Sequence, residues 1–327
     1  MKLTVRSIAE SLNLSPATVS KALSGRHEIS EETRQRVQTF AHDAGYFKSA
    51  GQRRRLGVLV VNPAEMEDSQ TSLMFSLLMG FQRYADRFDY DVVVYNINGK
   101  TQEPLDQFAS KNKFDGLFIA GLKNTDTYYL QLEAAQSPIV VMDIHVTNPK
   151  IGNVGTNSIS GGAIAIKHLT HLGHKRIGFV NGHKEAYISQ ERLAGYLAAL
   201  YNQGIKFDQN LCFDGDYSME SGEAAAEYFA KTNATAIYFA SDLMALGAVR
   251  RFKALGLKLP RDMSIVGFDN LALCQGCTPM ITSVAQDPVA LGETACALLR
   301  GLAQNTPISR AQLEPWLEVR ESTAAPR

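Results

Sequence analysis

Two sets of side chains in this 327-residue sequence could do chemistry. The first is basic and hydroxylated. In the run Ser15-Pro16-Ala17-Thr18-Val19-Ser20-Lys21-Ala22-Leu23-Ser24-Gly25, Lys21 can reach guanine acceptors, while the small Ala17 can offer only apolar contact, for instance to a thymine methyl. Further on, Arg53, Arg54 and Arg55 could hold phosphates or lie in a narrow minor groove. The second set is acidic. Asp143 and Asp269 follow apolar runs, Asp242 follows another at a helix start, and Asn62 follows the first of them. Arg192 falls in a helical stretch. Three carboxylates near one guanidinium suit hydroxyl donors, so a polyhydroxylated ligand fits better than a dianion. Each residue also has a plainer role open to it: Lys21 and Arg192 as solvated charges, Asp242 as a helix cap.

Other constellations carry less. Cys274-Gln275-Gly276-Cys277 has the spacing of redox or metal sites, but no second pair accompanies it, so both read as ordinary loop thiols. His168, His171 and His174 recur every third residue, yet the helix should end near Gly173, which prevents a shared metal-binding face. No nucleophile elbow or phosphate-binding loop is present. The sequence therefore assigns no catalytic residue, no metal and no cofactor.

The elements that must position the first set are short helices. Thr4 can cap a helix carrying Ile8, Ala9 and Leu12 on one face. Ser15 caps a second, with Pro16 at its first position and Gly25 as a left-handed exit. The three residues Asn13 to Ser15 between them give the spacing of a helix-turn-helix, whose second helix enters the DNA major groove. A third helix starts at Ser30-Glu31-Glu32 and ends at Gly45. Its Val37, Phe40 and Ala41 can close a small core over Val19, Ala22 and Leu23.

The texture then changes. Leu56 to Val61 is a continuous apolar run, as for a strand buried on both faces of a parallel sheet. Similar runs recur at 92–95, 116–120 and 139–142, separated by helix-length segments near 71–88, 102–112 and 126–136. After a crossing at 155–175 the pattern restarts, with strands at 176–180, 236–240 and 264–268 and helices near 187–203, 242–255 and 288–301. Such alternation predicts right-handed βαβ units in an α/β architecture of two similar lobes. Ligands bind such lobes at the carboxyl ends of their strands, across a hinge.

Charge follows the same division. Lys plus Arg equal Asp plus Glu, 33 each. Residues 1–55 nevertheless carry about +5, leaving about −5 on the remainder. A basic module on a mildly acidic body suits a nucleic-acid partner for the first part alone. No apolar run reaches the ~18–20 residues of a membrane span. Four cysteines do not make a disulfide framework at this length, and the N-terminus reads as a capped helix rather than a signal peptide. The expected compartment is the cytoplasm, with no membrane partner.

In this order, the motifs resemble those of the lactose-repressor (LacI/GalR) family of transcription regulators. The headpiece matches at Ile8-Ala9, Ser15 to Ser20, Ser30 to Arg34 and Gly45-Tyr46. The body matches at Leu172-Gly173-His174, Arg192 to Tyr196, Ser241 to Ala248, Val266 to Asn270 and Val319 to Thr323. The resemblance implies an all-α helix-turn-helix headpiece on a two-lobed, periplasmic-binding-protein-like body. It implies a homodimeric repressor on double-stranded operator DNA, switched by a small effector, a sugar or sugar derivative. It places Pro16, Ala17, Ser20 and Lys21 at base edges, Ser15, Thr18 and Ser24 at phosphates, and Thr4 and Arg6 beside them. It turns Arg192, Asp242 and Asp269 into the cleft, to which Asp143 and Asn62 are added by their own positions after strands. The expected boundaries are 1–46 for the headpiece, 47–55 for a basic linker and 56–327 for the body. Lobe 1 takes about 56–155 and 284–312, lobe 2 about 156–283 and 313–327.

Two departures from the family pattern stand out. Relatives have a longer linker with a hinge helix whose leucine wedges into the minor groove; Phe47 to Arg55 is short and has no leucine. Asn157 stands where the family has aspartate before Gly161-Gly162, and since asparagine also caps, the helix should survive. Two other functions compete. A solute-binding protein without regulatory role fits the body but not the headpiece, and a sugar-acting enzyme lacks its catalytic groups.

Overall fold

The computed structural model describes residues 4–23, 29–43, 54–62, 68–98, 103–304, 306 and 310–327. The chain divides into two compact units, residues 1–54 and 55–327. In the first, α1 (Val5–Leu12), α2 (Pro16–Leu23) and α3 (Glu31–Asp43) enclose Ile8, Ala9, Leu12, Val19, Ala22, Val37 and Ala41. Thr4 and Ser7 form a capping box at the start of α1. The Ser15 hydroxyl accepts from the Thr18 amide at 3.0 Å, and the Ser30 hydroxyl from the Thr33 amide at 3.3 Å. Asn13 takes the left-handed turn at φ 56°, and the Arg36 guanidinium donates to the Leu12 carbonyl at 3.0 Å, closing α1.

The second unit holds two sheets. The chain builds β1 (Arg54–Val61), α4 (Asp68–Asp86), β2 (Tyr90–Ile97), α5 (Leu105–Lys111), β3 (Gly116–Ala120), α6 (Thr127–Leu132), β4 (Ile139–Met142) and β5 (Ile151–Thr156). It then builds α7 (Ser158–His171), β6 (Ile177–Asn181), α8 (Tyr187–Asn202), β7 (Cys212–Asp214), α9 (Met219–Phe229), β8 (Ala236–Phe239), α10 (Asp242–Ala254), β9 (Ser264–Asp269), α11 (Leu273–Gly276) and β10 (Thr282–Ala285). Last come α12 (Pro288–Ala303), β11 (Arg310–Leu313) and β12 (Trp316–Glu318). One sheet runs β11-β5-β4-β3-β1-β2, the other β12-β10-β9-β8-β6-β7. β3 pairs parallel with β1 and β4, β9 parallel with β8 and β10, and β12 antiparallel with β10. The chain changes lobe at 156–158, 285–288 and 313–316.

Strand β1 shows why its sequence is apolar throughout. Leu56, Val58 and Val60 pack under α4 and α12, whereas Leu59 and Val61 pack under α5 and α6, the two-sided burial of a parallel strand. Helices α4 and α12 meet backbone to backbone. A Cβ on Gly80 would lie 2.0 Å from the Val289 carbonyl oxygen, and one on Gly292 1.9 Å from that of Leu77, so only glycine permits the approach.

β1 also corrects the linker boundary. It begins at Arg54, because the Arg55 amide donates to the Asp115 carboxylate at 2.8 Å and the Asp115 amide donates back to the Arg55 carbonyl at 2.7 Å.

Candidate functional site

Between the lobes lies a cavity of about 490 Å³. Its polar groups arrive from strand ends. Asn62 follows β1, Asp143 follows β4 and Asp269 ends β9, with φ of 50°, 56° and 110°. These left-handed turns redirect the chain as each strand finishes, and Asn and Asp tolerate them better than most residues. Arg192 comes from the first turns of α8. Its guanidinium lies 3.9 Å from the centroid of the Phe268 ring and 5.8 Å from that of Tyr217. Nη1 donates to the Ala240 carbonyl, and Nη2 is 3.8 Å from Asp269 Oδ1.

Asp269 is held from the hinge as well. Gln286 Nε2 donates to Asp269 Oδ1 at 2.8 Å, while Gln286 Oε1 accepts from the Thr156 hydroxyl at 2.9 Å. The carboxyl thus connects to two lobe crossings. Burial pushes the Asp143 carboxyl up to about 7, with Arg192 drawing it down and Glu191 adding to the rise. Burial also raises Asp269, against the pull of Arg192, and the neighbouring Asp242 and Asp143 charges raise it further. Two carboxyls facing one arginine are thus poised to titrate near neutrality.

Other contacts cross the cleft. Arg310 of β11 meets Glu191 of α8 at 2.9 Å, and the His145 ring lies 6.2 Å from that of Tyr187. The two lobes thus touch beside the cavity as well as at the hinge.

In the headpiece, Pro16, Ala17 and Ser20 are exposed along one side of α2, with Lys21 half-buried next to them and Val19 and Ala22 turned inward. Arg6 is exposed, with Glu10 at 3.8 Å.

The Periplasmic binding protein-like domain family matches residues 166–323. The HTH-type transcriptional repressor PurR of Photobacterium profundum is 29% identical over 98% of both chains. The HTH-type transcriptional repressor CytR of Escherichia coli is 29% identical over 98% of this chain and 96% of its own. A solved complex of the transcriptional regulator CelR with cellobiose is 28% identical, with a TM-score of 0.73, covering 98% of this chain and all of the other. Over nearly its whole length the chain is similar to LacI/GalR-type transcription regulators. The lac repressor dimer bound to operator shares the fold, at a TM-score of 0.73 and 24% identity.

Within the cleft, Asn62, Asp143, Arg192 and Asp269 line one cavity. Asp242 does not, and this corrects the sequence reading. As the first residue of α10 it turns back onto the sheet, fully buried, where it accepts from the Leu271 amide and the Ser283 hydroxyl, each at 2.7 Å. Burial raises its carboxyl despite those bonds. The α10 cap, Ser241, lines the cavity instead. Asp242 therefore anchors the turn that follows Asp269 rather than meeting an occupant.

Tyr217 was missed. Its φ of 72° is an outlier for an aromatic residue. Its hydroxyl lies 2.6 Å from Ser189 Oγ, and its ring packs on Gly182, where a Cβ would come within 1.9 Å. The signal in the sequence was an aromatic residue directly after Asp214-Gly215-Asp216.

Among the arginines, Arg55 is committed to the body. Nη1 donates to the Asn112 carbonyl at 2.7 Å, and the guanidinium lies 5.2 Å from the Phe114 ring centroid. It is withdrawn as a phosphate contact, because a guanidinium tied to Asn112 and Phe114 cannot also follow the headpiece. Arg54 is exposed at the start of β1; Arg53 and Ser24 lie outside the described residues. The four cysteines are free thiols. Cys277 Sγ donates to the Cys274 and Pro279 carbonyls. His168 and His174 meet the C-terminal segment at Thr323 and Ala324. Among the described residues no helix is long and apolar enough to cross a membrane.

Proposed function

We propose that the protein is a cytoplasmic, homodimeric repressor whose affinity for a two-fold operator is switched by a neutral, polyhydroxylated effector of carbohydrate type held between the lobes. The carrying observation is that one chain joins a helix-turn-helix to a cleft in which Arg192, Asp143 and Asp269 converge. A related CelR structure holds cellobiose, which supports the carbohydrate class. In this reading residues 1–46 are the headpiece and the body starts at the first strand. Pro16, Ala17, Ser20 and Lys21 read base edges. Ser15, Thr18, Ser24, Thr4 and Arg6 hold phosphates, with Arg53 and Arg54 following. Arg192, Asp269, Asp143 and Asn62 bind the effector, with Tyr217 and Ser241 beside them. The relatives are repressors rather than enzymes, and the switch works by binding without turnover.

Electrophoretic mobility shifts on operator-like palindromes test this reading. The full chain should retard them and residues 56–327 should not. Lys21→Ala should weaken binding by about 1–3 kcal/mol and relax preference at one base pair per half-site. Equal weakening on every sequence would make Lys21 a phosphate contact, and retardation by the body alone would overturn the division of labour.

A further inference from the structure

Spacing alone leaves Cys274 and Cys277 as ordinary thiols, but the fold gives each a position. The pair spans the single turn of α11. Three residues along a helix put two Cα atoms roughly 5 Å apart, within the ~4.4–6.8 Å that a disulfide bridges. Cys277 Sγ already lies 3.3 Å from the Cys274 carbonyl oxygen, folded back over the turn. Cys274 is buried and Cys277 half-buried. The other two cysteines sit in separate elements, Cys212 in β7 and Cys296 in α12.

The Cys274 thiol donates to the Asp242 carboxylate. That carboxylate also accepts from the Leu271 amide and the Ser283 hydroxyl. Between Asp269 and Leu271, both of which line the cleft cavity, the chain turns through left-handed conformations at Asp269 and Asn270, with φ of 110° and 57°. The thiol is thus one of the donors that hold the carboxylate pinning this turn. A sulfur committed to a disulfide carries no proton to donate.

We propose that Cys274 and Cys277 are a reversible redox site, joined as a disulfide by hydrogen peroxide, and that the bridge takes the thiol donor from Asp242 and loosens the turn carrying Asp269 to the cleft. Cys277 is the more accessible sulfur. As a thiolate it attacks one peroxide oxygen, the O–O bond breaks, and the departing hydroxide takes a proton to leave as water, with a sulfenic acid on Cys277. The Cys274 sulfur gives up its proton and attacks the sulfenic sulfur; the S–O bond breaks and a second water leaves. Two thiols lose two electrons and two protons, and one peroxide becomes two waters. Burial raises both thiols, with the Asp242 charge adding to the rise and Arg320 and Lys253 opposing it, so the reaction is slow at neutral pH and quickens as pH rises. A dithiol reverses it by exchange. With one donor gone, burial favours the protonated Asp242 carboxyl, whose protonated oxygen donates rather than accepts, so the Leu271 amide is held less firmly. Asp269, which the Asp242 charge raises, is then eased toward its ionised form.

The test uses the full chain and hydrogen peroxide, and needs neither effector nor operator, so its failure leaves the regulator reading untouched. After treatment at alkaline pH and removal of the peroxide, the four free thiols should fall to two. Peptide mapping should find two hydrogens lost between Cys274 and Cys277, restored by dithiothreitol. Deuterium exchange over 270–274, compared at one pH, should quicken by about ten-fold or more on oxidation and recover on reduction, while exchange in β8 stays the same. Cys277→Ser leaves the Cys274 thiol on Asp242 and cannot bridge, so peroxide should not change its exchange there. Cys274→Ser, whose hydroxyl can still donate to Asp242, should behave alike. Several results overturn the proposal: four thiols that persist, oxidation of Cys277 to a sulfinic acid without a bridge, or a bridge between two chains. A disulfide that leaves exchange over 270–274 unchanged overturns it too, as does the same quickening in Cys277→Ser.

Discussion

Lobe 1 and lobe 2 carry the same strand order. β5-β4-β3-β1-β2 in one corresponds to β10-β9-β8-β6-β7 in the other, and each sheet is completed at its edge by a short late strand, β11 or β12. Both bring two helices into backbone contact through paired glycines: Gly80 and Gly292 in lobe 1, Gly222 and Gly247 in lobe 2. Their cleft-facing ends nevertheless differ. In lobe 2, Arg192 is stacked and hydrogen-bonded, and Asp269 is fixed by Gln286. In lobe 1, no hydrogen bond from a described residue bears on the Asp143 carboxyl, which is shifted by burial and by the charges of Arg192 and Glu191. A shared fold brings strand ends to the cleft without dictating what they carry. Here one lobe holds stacked and hydrogen-bonded polar groups, and the other brings the buried Asp143 carboxyl with Asn62 and Lys123 beside Met74, Leu77 and Met142. Preorganised groups lose less freedom on binding, so lobe 2 should supply most of the effector affinity.

The largest effect should therefore come from Arg192→Ala. It removes the guanidinium that Asp269 and Asp143 face and leaves buried carboxyls without a counter-charge, a loss of about 3 kcal/mol or more in effector binding. DNA affinity without effector should stay nearly unchanged. Calorimetry and mobility shifts measure the two. A larger loss of effector affinity from Asp143→Ala than from Arg192→Ala would reverse the roles assigned to the lobes.

A smaller, pH-dependent effect should isolate the lobe 1 carboxyl. Its folded value, about 7, lies above the ordinary 3.8. The native chain therefore binds this proton more tightly than the unfolded chain does. The stability it contributes is present below about pH 4 and is lost as pH rises through 7, by at most about 1.4 kcal/mol per pH unit. Asp143→Asn should flatten that part of the profile. A neutral effector that donates hydroxyls to the ionised carboxylate should bind more tightly at pH 8 than at pH 6 in the unsubstituted protein, and less so in Asp143→Asn. Thermal melts and titrations from pH 5 to 8 read both, and identical profiles for the two proteins would remove Asp143 from the site.

The strands legible in the sequence were those whose apolar runs are continuous because both faces are buried, such as β1, β3 and β8. β5 was not legible. It reads Ile-Gly-Asn-Val-Gly-Thr, because a Cβ on Gly152 would lie 2.8 Å from Leu298 and one on Gly155 2.5 Å from Asp143 Oδ1. Close packing there removed the side chains that mark a strand. β10 was hidden because its hydroxyls are structural: Ser283 donates to Asp242 and the Thr282 amide to Ser322. The same bond explains the error at Asp242. Its place after a strand is as suggestive as that of Asp269, and only its partners 29 and 41 residues away separate an anchor from a cleft residue. Local spacing locates a strand end, but the direction of the side chain beyond it depends on distant contacts.

The smallest effect should come from the hinge, which belongs to neither lobe. Asn157 Oδ1 accepts from the Ser160 amide at 3.1 Å and so caps α7, as the sequence predicts. Its Nδ2 donates to Glu314 Oε1 at 2.7 Å, and its backbone amide donates to the Leu313 carbonyl at 2.8 Å. This joins the first and third lobe crossings. An aspartate could cap equally well, but it would lose the donor and set a carboxylate against Glu314. That gives the departure from the family pattern a local reason. Asn157→Asp should destabilise the protein by about 0.5–1 kcal/mol at pH 8 and low salt, with the size limited by solvent screening of an exposed pair. The cost should shrink toward pH 4, as one carboxyl takes up a proton, and largely vanish in the Asn157→Asp, Glu314→Gln double variant. Urea denaturation of the four proteins measures the coupling. If Asn157→Asp is as stable as the parent at pH 8, the Glu314 contact carries no weight, and the asparagine serves only as a cap.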